Sequence, residues 1–489
     1  MKAKRLGVIL SDRTGPTHLQ FNFQLDDDAD VKVGEFVEVP LGSRIILGRI
    51  IRLHSINELF QDPTFIKDHL KRDMPLYARY PVDIGRWRAA TVQIIGIIED
   101  GQISPPNDAP EPGDTVYLAS SDLLKQFLKL PEKGIYLGKM YGNNNIDIVL
   151  DIKRTIKHHI AVLGATGSGK SYTVGVIIEE LLENNYPVVV IDTHGEYHGF
   201  NTPNYEEGSL LEKWGLEPKS YDIIRYSIFA SYPGSKTLRI SLDWLNADSF
   251  AEMLGATETQ YDLLFLVFQN LKKEKMRITI DNVIESVDKV ASEWKFASRT
   301  VFTIKRKLQL IRELGIIGTP PKIEELVSPG RLTIVDLSED IEEKIRISLV
   351  GVLLDILFKA RKKQIIPPLM VVVEESHRFA PQDEESYSKS MMRKIAREGR
   401  KFGIGLCLTS QRIVGLDKDV ISQCGTKIIL RIDSKTDLDY ISPYISYSVI
   451  SDLQRVPFLP NGVGIVSGIA LKAPVIAQIR PRKSKHIGI

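Results

Sequence analysis

The sequence predicts an α/β fold with a parallel sheet, with an all-β domain before it and a helical subdomain inserted into it. Three observations predict this arrangement. Short β-rich runs fill the first 120 or so residues, apolar strands alternate with helices after His158, and residues 244–316 are helical in pattern. Since 489 residues exceed what one core organises, several domains are expected.

The first region, residues 1–125, is predicted to be a small β-barrel or sandwich. Its β-rich segments are short, and turn-rich pieces such as Asn107–Asp114 separate or end them. The segment Asn57–Lys71 has the pattern of a helical insertion. The predicted strands are Leu6–Leu10, Leu19–Phe23, Phe36–Pro40, Ile45–Leu53, Leu76–Val82 and Ala90–Ile98.

A connector is expected over residues 126–157, because a short helix (Leu123–Leu130) leads into the glycine- and asparagine-rich stretch Gly134–Asn145. The α/β core follows over 158–243 and 317–456. A C-terminal extension over 457–489 ends in a basic tail. The predicted core strands are His159–Leu163, Val188–Ile191, Leu332–Val335, Leu369–Val373, Gly405–Leu408 and Lys427–Leu430. The predicted helices of the inserted subdomain are Phe250–Leu254, Tyr261–Leu271, Ile280–Val290 and Ala297–Glu313.

Composition excludes few classes of protein. The chain is 43% apolar and 26% charged, which is ordinary for a globular protein. Its net charge of +2 neither marks nor excludes a nucleic-acid binder, because a ring can confine its basic residues to a pore. The two cysteines, Cys407 and Cys424, lie in apolar stretches and favour a reducing compartment. We find no signal-peptide pattern and no run of about 18 apolar residues, so a cytoplasmic protein without a membrane span is expected.

A glycine-rich segment between a predicted strand and a predicted helix carries the strongest chemical signal. It has the full spacing of a P-loop and the strand–loop–helix context that this motif requires. Glycines let backbone N–H groups surround phosphates, Lys170 is expected to reach the β- and γ-phosphates, and Ser171 is expected to ligate Mg²⁺. The predicted nucleotide-binding residues are Gly164, Ala165, Thr166, Gly167, Ser168, Gly169, Lys170, Ser171, Tyr172 and Asp192.

Two later strands end in residues suited to hydrolysis. The strand Leu369–Val373 runs into two acids, and we assign Glu374 to the Mg²⁺ ion and Glu375 to the attacking water. The strand Gly405–Leu408 leads to Gln411, which is expected to contact the γ-phosphate or the water. A simple polar strand end is the alternative for this glutamine.

A basic helix and one loop complete the candidates. Arg393, Arg397 and Arg400 are spaced i, i+4 and i+7, so they share one helix face. Arg397 or Arg400 is expected to neutralise transition-state charge on the ATP of a neighbouring subunit, and a merely solvated face is the alternative for any one of them. Asp192 follows a buried strand, and its carboxylate is expected to act through a water of the Mg²⁺ ion.

In chain order, the motifs GATGSGKS, IDTHGEYH, VVVEES and REGRKFGIGLCLTSQR resemble the HerA group of the FtsK–HerA translocases. The all-β region, the helical insertion and the C-terminal extension are also similar to this group, so the resemblance covers essentially the whole chain. It implies an archaeal, RecA-like P-loop ATPase core with an N-terminal barrel. The family's usual acid pair is Asp-Glu, whereas this chain has Glu374 and Glu375.

The resemblance further implies a homohexameric ring that uses ATP and Mg²⁺ to thread double-stranded DNA. It implies a role in double-strand-break end resection, with a NurA-like nuclease docked on the barrel face. By matching positions, Lys170, Ser171, Glu375 and Gln411 take nucleotide roles, and Arg397 is the first choice for the arginine finger. The alternatives are a conjugative or protein-transport motor of the same superfamily, an ATP-gated scaffold that activates a nuclease, and a P-loop kinase.

Overall fold

The computed structural model describes residues 4–11, 15–57, 63, 64, 67, 86–99, 101–445 and 450–487. The chain divides into two compact units, Met1–Leu130 with Gly142–Ile146 and Pro131–Tyr141 with Asp147–Ile489. The predicted strand Leu76–Val82 and most of the predicted insertion Asn57–Lys71 lie outside the described residues.

The first unit is built on a sheet that closes on itself. Within the described residues its strands are ordered β2-β1-β7-β3-β4-β5-β6, and β2 also pairs with β5, so six of the strands form a closed barrel. All of these pairings are antiparallel. Alternate residues such as Phe21, Phe23, Val37 and Val39 point inward and fill the barrel. The elements are β1 (Arg5–Ile9), β2 (Gln20–Leu25), β3 (Phe36–Leu41), β4 (Arg44–Asn57), β5 (Arg86–Glu99), β6 (Gln102–Ser104), β7 (Thr115–Leu118) and helix α1 (Ser121–Leu128).

The second unit contains all of a large mixed sheet except residues 143–146 of one edge strand. Its strands in the described residues are β8 (Ile135–Met140), β9 (Asn143–Leu150), β10 (Ile160–Leu163), β11 (Val188–Asp192), β12 (Ile223–Ser227), β13 (Lys236–Thr237), β14 (Leu332–Asp336), β15 (Leu369–Val373), β16 (Ile404–Ser410), β17 (Thr426–Ile429), β18 (Val463–Gly468) and β19 (Val475–Ile479). The order is β13-β12-β14-β11-β15-β16-β10-β17-β18-β19-β8-β9. Pairing is parallel from β13 to β17 and antiparallel from β17 to β8. The sheet is therefore parallel in its P-loop half, as predicted, and antiparallel beyond it.

The expected connector over 126–157 differs from the observed structure, because this stretch adds two strands to the core sheet. β8 pairs with β19 through Ala477↔Met140 and Ile479↔Gly138. Ile135, Leu137, Ile148 and Leu150 are all buried with the alternation of half-buried strands. Glycine and asparagine occur here because a turn with Gly142 at φ +87° joins the two strands.

Helices cover the faces of this sheet and form the inserted subdomain. The four inserted helices α5–α8 share an apolar cluster that includes Phe250, Leu264, Val283 and Leu308. No helix in the described part of the chain is long and apolar enough to cross a membrane. The helices are α2 (Ile152–His158), α3 (Lys170–Glu183), α4 (Gly208–Lys213), α5 (Ala247–Met253), α6 (Glu258–Lys273), α7 (Ile280–Glu293), α8 (Ser298–Leu314), α9 (Ile323–Leu326), α10 (Glu343–Lys362), α11 (Tyr387–Phe402), α12 (Lys418–Gln423), α13 (Lys435–Ile441) and α14 (Ile450–Leu453), with 3-10 turns at Tyr197–Asn201, Leu242–Trp244, Ser376–Arg378, Ser442–Tyr444 and Val456–Phe458.

Candidate nucleotide-binding site

The loop between β10 and α3 has the backbone of a phosphate cradle. Gly167 and Gly169 have φ values of +72° and +99°, a conformation that only glycine adopts without strain. At Gly164 a Cβ atom would lie 2.5 Å from Ser168 Oγ, so a larger residue would crowd the loop. The loop ends at the start of α3, where unpaired helix N–H groups and the helix dipole favour an anion.

Lys170 lies inside this loop with little exposure to solvent. Its side chain donates a hydrogen bond from Nζ to the carbonyl oxygen of Ala165 at 2.9 Å. Burial lowers the pKa of Lys170, and the nearby carboxylates of Glu375 and Glu374 act in the opposite direction. The ammonium group therefore sits in an enclosed position where an incoming polyphosphate can supply the charge that balances it.

A cavity of about 500 Å³ opens over the loop, and most of the predicted site residues line it. Its walls bring together the P-loop, the end of β15, the end of β16 and the loop after β11. This convergence at the carboxyl edge of a parallel sheet is where open α/β folds bind ligands. The lining residues are Thr166, Gly167, Gly169, Lys170, Ser171, Tyr172, His194, Glu196, Glu374, Glu375, Gln411 and His486.

Glu375 and Gln411 are linked to each other and to the P-loop. The Glu375 carboxylate accepts a hydrogen bond from the Gln411 backbone N–H at 3.5 Å, and Thr166 Oγ1 donates to Gln411 Oε1 at 2.6 Å. Glu375 is 7% exposed, and burial raises its pKa above the usual range while Lys170 lowers it. Its backbone is left-handed, with φ at +45°, which is uncommon for a residue with a side chain.

Glu374 is held from the other side by the loop that follows β11. Its Oε2 atom accepts hydrogen bonds from the Thr193 N–H at 3.1 Å and Thr193 Oγ1 at 3.2 Å, and lies 3.4 Å from His194 Nδ1. The hydrogen bond to Glu374 is the main cause that raises the pKa of His194. Within the described residues, Oε1 of Glu374 accepts no hydrogen bond, which leaves this oxygen for a ligand in the cavity.

Asp192 lies beneath the cavity and does not line it. Its carboxylate accepts hydrogen bonds from the backbone N–H groups of His194, Gly195, Glu196 and Tyr197 at 2.8–3.2 Å. Burial, followed by the charge of Glu374, raises the pKa of Asp192 to about 7. Asp192 therefore shapes the loop that holds Glu374, and its predicted contact with an Mg²⁺-bound water stays a prediction.

The arginines of α11 lie outside this cavity. Arg393 binds the buried carboxylate of Asp417 through two nitrogens at 3.2 and 2.8 Å, so it is engaged within the chain. Arg397 is exposed and pairs with Asp419 at 2.9 Å. Arg400 is exposed, and burial followed by the charge of Arg400 lowers the pKa of His158, which precedes the amino end of β10. Because the P-loop follows the other end of β10, Arg400 is remote from the cavity of its own chain.

The residues present fit ATP with Mg²⁺. The glycine cradle and the buried Lys170 suit phosphates, and the unpaired Oε1 of Glu374 together with the Ser171 hydroxyl are oxygen donors of the kind that Mg²⁺ prefers. The longer side chain of Glu374, where the resembling family has Asp, is positioned by Thr193 and His194.

Three histidines at or beside the cavity were not predicted as site residues. His194 pairs with Glu374, His377 Nδ1 lies 3.2 Å from Glu375 Oε2, and His486 lines the cavity. Burial, with the charge of Arg378 next, lowers the pKa of His377 to about 4, so this ring is neutral at pH 7. The position of His377 two residues after Glu375 was a signal available in the sequence, whereas nothing local pointed to His486.

Comparison with known proteins places the cavity in context. Residues 135–357 match a family described as Helicase HerA, central domain. The chain is 29% identical over 506 residues to the DNA double-strand break repair helicase HerA of Pyrococcus furiosus, covering 94% of this chain and 89% of that protein. It is 27% identical over 488 residues to the protein of the same name from Sulfurisphaera tokodaii, covering 94% and 90%. A solved structure of VirB4 from Thermoanaerobacter pseudethanolicus is 15% identical with a TM-score of 0.49, covering 72% of this chain and 97% of that one.

Proposed function

We infer, because this chain belongs to the HerA helicase family, that it couples ATP hydrolysis to movement along double-stranded DNA. The relatives from Pyrococcus furiosus and Sulfurisphaera tokodaii are DNA double-strand break repair helicases by name, which supports DNA as the substrate and break repair as the setting. The resemblance of the motifs supports a homohexameric ring and a NurA-like nuclease partner that docks on the barrel and resects the ends.

The roles follow from the contacts around the cavity. Lys170 receives the β- and γ-phosphates, while Ser171 and Glu374 hold Mg²⁺. When bound, the ion neutralises phosphate charge and fixes the phosphate oxygens. Glu375 orients the attacking water and accepts its proton, for which its buried position and raised pKa are suited.

The link from Glu375 through Gln411 to Thr166 is the observation that carries the proposal. It joins the hydrolytic carboxylate, the end of β16 and the P-loop in one chain of hydrogen bonds. Loss of the γ-phosphate would change the partners of Gln411, and this change would pass to β16 and to the segment that follows it. A P-loop site of this form is suited to turnover coupled to movement, as a motor requires.

The test is ATP hydrolysis measured without DNA, with duplex DNA and with single-stranded DNA, using Lys170→Ala as the blank. We expect hydrolysis that duplex DNA stimulates and that the substitution abolishes. Duplex unwinding or displacement of a bound protein would then show movement. Hydrolysis that no DNA affects, with or without the nuclease present, would contradict the motor.

The scaffold alternative is separated by a second measurement. Glu375→Gln is expected to abolish both hydrolysis and stimulation of the nuclease. If the variant still stimulates the nuclease, ATP binding alone serves that task and the ring acts as a scaffold.

A further inference from the structure

The 480–487 segment, which the sequence presents as a basic tail, is packed into the second unit beside the nucleotide cavity. Arg480 is fully buried and binds two carboxylates of α3, with Nη1 at 2.9 Å from Glu179 and Nη2 at 2.8 Å from Glu180. Ser484 donates from its N–H and its hydroxyl to Glu179 at 2.8 and 2.6 Å. The segment is therefore fixed to the helix that begins at the P-loop.

Arg482 brings the segment close to the first turns of α3. Its guanidinium lies over the Phe200 ring, 4.4 Å from the ring centre, and a Cβ atom on Gly175 would come within 2.7 Å of it. Its backbone N–H donates to the hydroxyl of Tyr172 at 2.8 Å. Tyr172 comes two positions after Lys170, so the segment reaches the rim of the phosphate cradle. Glycine at position 175 is what permits this close approach.

His486 is the residue of the segment that enters the cavity. It lines the same space as Lys170 and Ser171. Its ring packs edge-on against Tyr172 with 5.4 Å between ring centres, and its Nδ1 atom lies 3.1 Å from Nη1 of Arg482. Burial, with Arg482 next, lowers its pKa to about 4, so the ring is uncharged at pH 7.

The position of His486 indicates which part of a nucleotide it meets. The γ-phosphate end of the cavity is marked by Glu375 and Gln411, which are bonded to each other and to Thr166. In the described part of the chain, the ring and hydrogen-bond contacts of His486 are with Tyr172 and Arg482 and not with Glu375 or Gln411. Its uncharged ring lines the part of the cavity beside Tyr172, which lies past the phosphate cradle. In a nucleoside triphosphate, this part is the ribose and the base.

We propose that the imidazole of His486 stacks on the base of the bound nucleotide, which makes the 480–487 segment the base-binding part of the site. This inference rests on the proposed function, because it takes the P-loop to bind ATP. Stacking contributes affinity through the ring face and not through charge. Inorganic tripolyphosphate, which has no base, provides the matched probe.

The experiment is calorimetric titration of the full chain with Mg·ADP and with Mg·tripolyphosphate. His486→Asn keeps an acceptor for Arg482 but removes the ring, whereas His486→Phe keeps a ring. We expect His486→Asn to weaken ADP binding about tenfold, the order of one lost base–aromatic stack. We expect its tripolyphosphate affinity to be unchanged and His486→Phe to bind ADP nearly as the wild type does. Lys485→Ala is the control, because its side chain pairs with the exposed Glu206 outside the cavity.

Other outcomes overturn the inference. If His486→Asn binds ADP as the wild type does, the base does not stack on this ring. If it loses ADP and tripolyphosphate affinity equally, the residue only supports the fold. If the wild type binds neither probe, or if Lys170→Ala binds both probes as tightly as the wild type does, the proposed nucleotide site is wrong. The inference about His486 then fails with it.

Discussion

Two adjacent carboxylates at the end of β15 have different surroundings, and this difference supports the different roles proposed for them. Glu374 is fixed by Thr193 and His194, whereas Glu375 faces Gln411 and His377. The left-handed backbone of Glu375 costs roughly 1–2 kcal/mol for a residue with a side chain. Such strain at a cavity wall is characteristic of functional positions, where surrounding contacts maintain it.

We expect Glu375→Gln to reduce the turnover rate of ATP by about 100- to 10,000-fold, because the amide cannot accept a proton from water. Nucleotide binding should persist, because Lys170 and the glycine loop are unchanged. The measurement is steady-state hydrolysis together with ADP titration.

The matched control for this substitution is Glu385→Gln. Glu385 is exposed and pairs with Arg393 and Lys389, away from the cavity. The Glu385→Gln variant should hydrolyse ATP at the wild-type rate. A Glu375→Gln variant that turns over at the wild-type rate would assign the water to another residue, and Glu374 would be the next candidate.

At the scale of elements, β8 and the 480–487 segment both contact the buried carboxylates of α3. The Tyr136 N–H donates to Glu180 at 3.2 Å, and Arg480 Nε donates to the Tyr136 carbonyl at 3.1 Å. Arg480 is therefore enclosed by two carboxylates and a strand, none of which is near it in sequence. Burial of this kind is stable only while every partner is present.

Arg480→Met is expected to reduce the free energy of unfolding of the second unit by about 3–5 kcal/mol, since it removes the guanidinium that donates to the buried carboxylates of Glu179 and Glu180 and leaves them only the longer contacts with Arg482 and Lys483. Denaturant unfolding followed by circular dichroism measures the loss. Arg331→Met is the control, because Arg331 pairs with the exposed Asp222. That control should change stability by no more than about 1 kcal/mol. Equal effects of the two substitutions would show that the buried network contributes little.

At the scale of the whole molecule, the arginines of α11 lie outside the cavity of their own chain. Arg400 lies near the amino end of β10, and the P-loop follows the carboxyl end. Arg397 is exposed beside Asp419. Neither residue lines the cavity of its own chain, so the role predicted for them is toward the ATP of a neighbouring subunit. The proposed ring provides such a neighbour.

We expect Arg397→Ala or Arg400→Ala to hydrolyse ATP poorly, and activity to return when the affected variant is mixed with Lys170→Ala. In a mixed ring, a subunit of the arginine variant keeps an intact P-loop. A neighbouring Lys170→Ala subunit keeps the arginine and can supply it to that P-loop. Hydrolysis by the mixture after subunit exchange is the measurement, with each variant alone as control. Full activity of both arginine variants, or a fully active monomer, would rule out an arginine acting between subunits.

Features whose signals lie within a short segment of the chain could be predicted from the amino-acid sequence. The P-loop spacing, the acids after β15 and Gln411 after β16 each lie within a short segment, and parallel strands bring their carboxyl ends to one edge. The structure places Lys170, Ser171, Glu374, Glu375 and Gln411 around one cavity accordingly. Their roles in hydrolysis remain predictions. Short β-rich runs also predicted an all-β first unit, either a barrel or a sandwich, and hydrophobic periodicity predicted the inserted helices.

Contacts between residues far apart in the chain became visible only in the folded molecule. It showed that residues 135–150 are strands of the core sheet and that the predicted basic tail supplies buried arginines to α3. Composition misled in both cases, because glycine and asparagine in a hairpin turn resemble a linker, and arginine is usually solvated. A charged side chain is buried only where opposite charges surround it, and Glu179 and Glu180 lie about 300 residues before Arg480 in the chain.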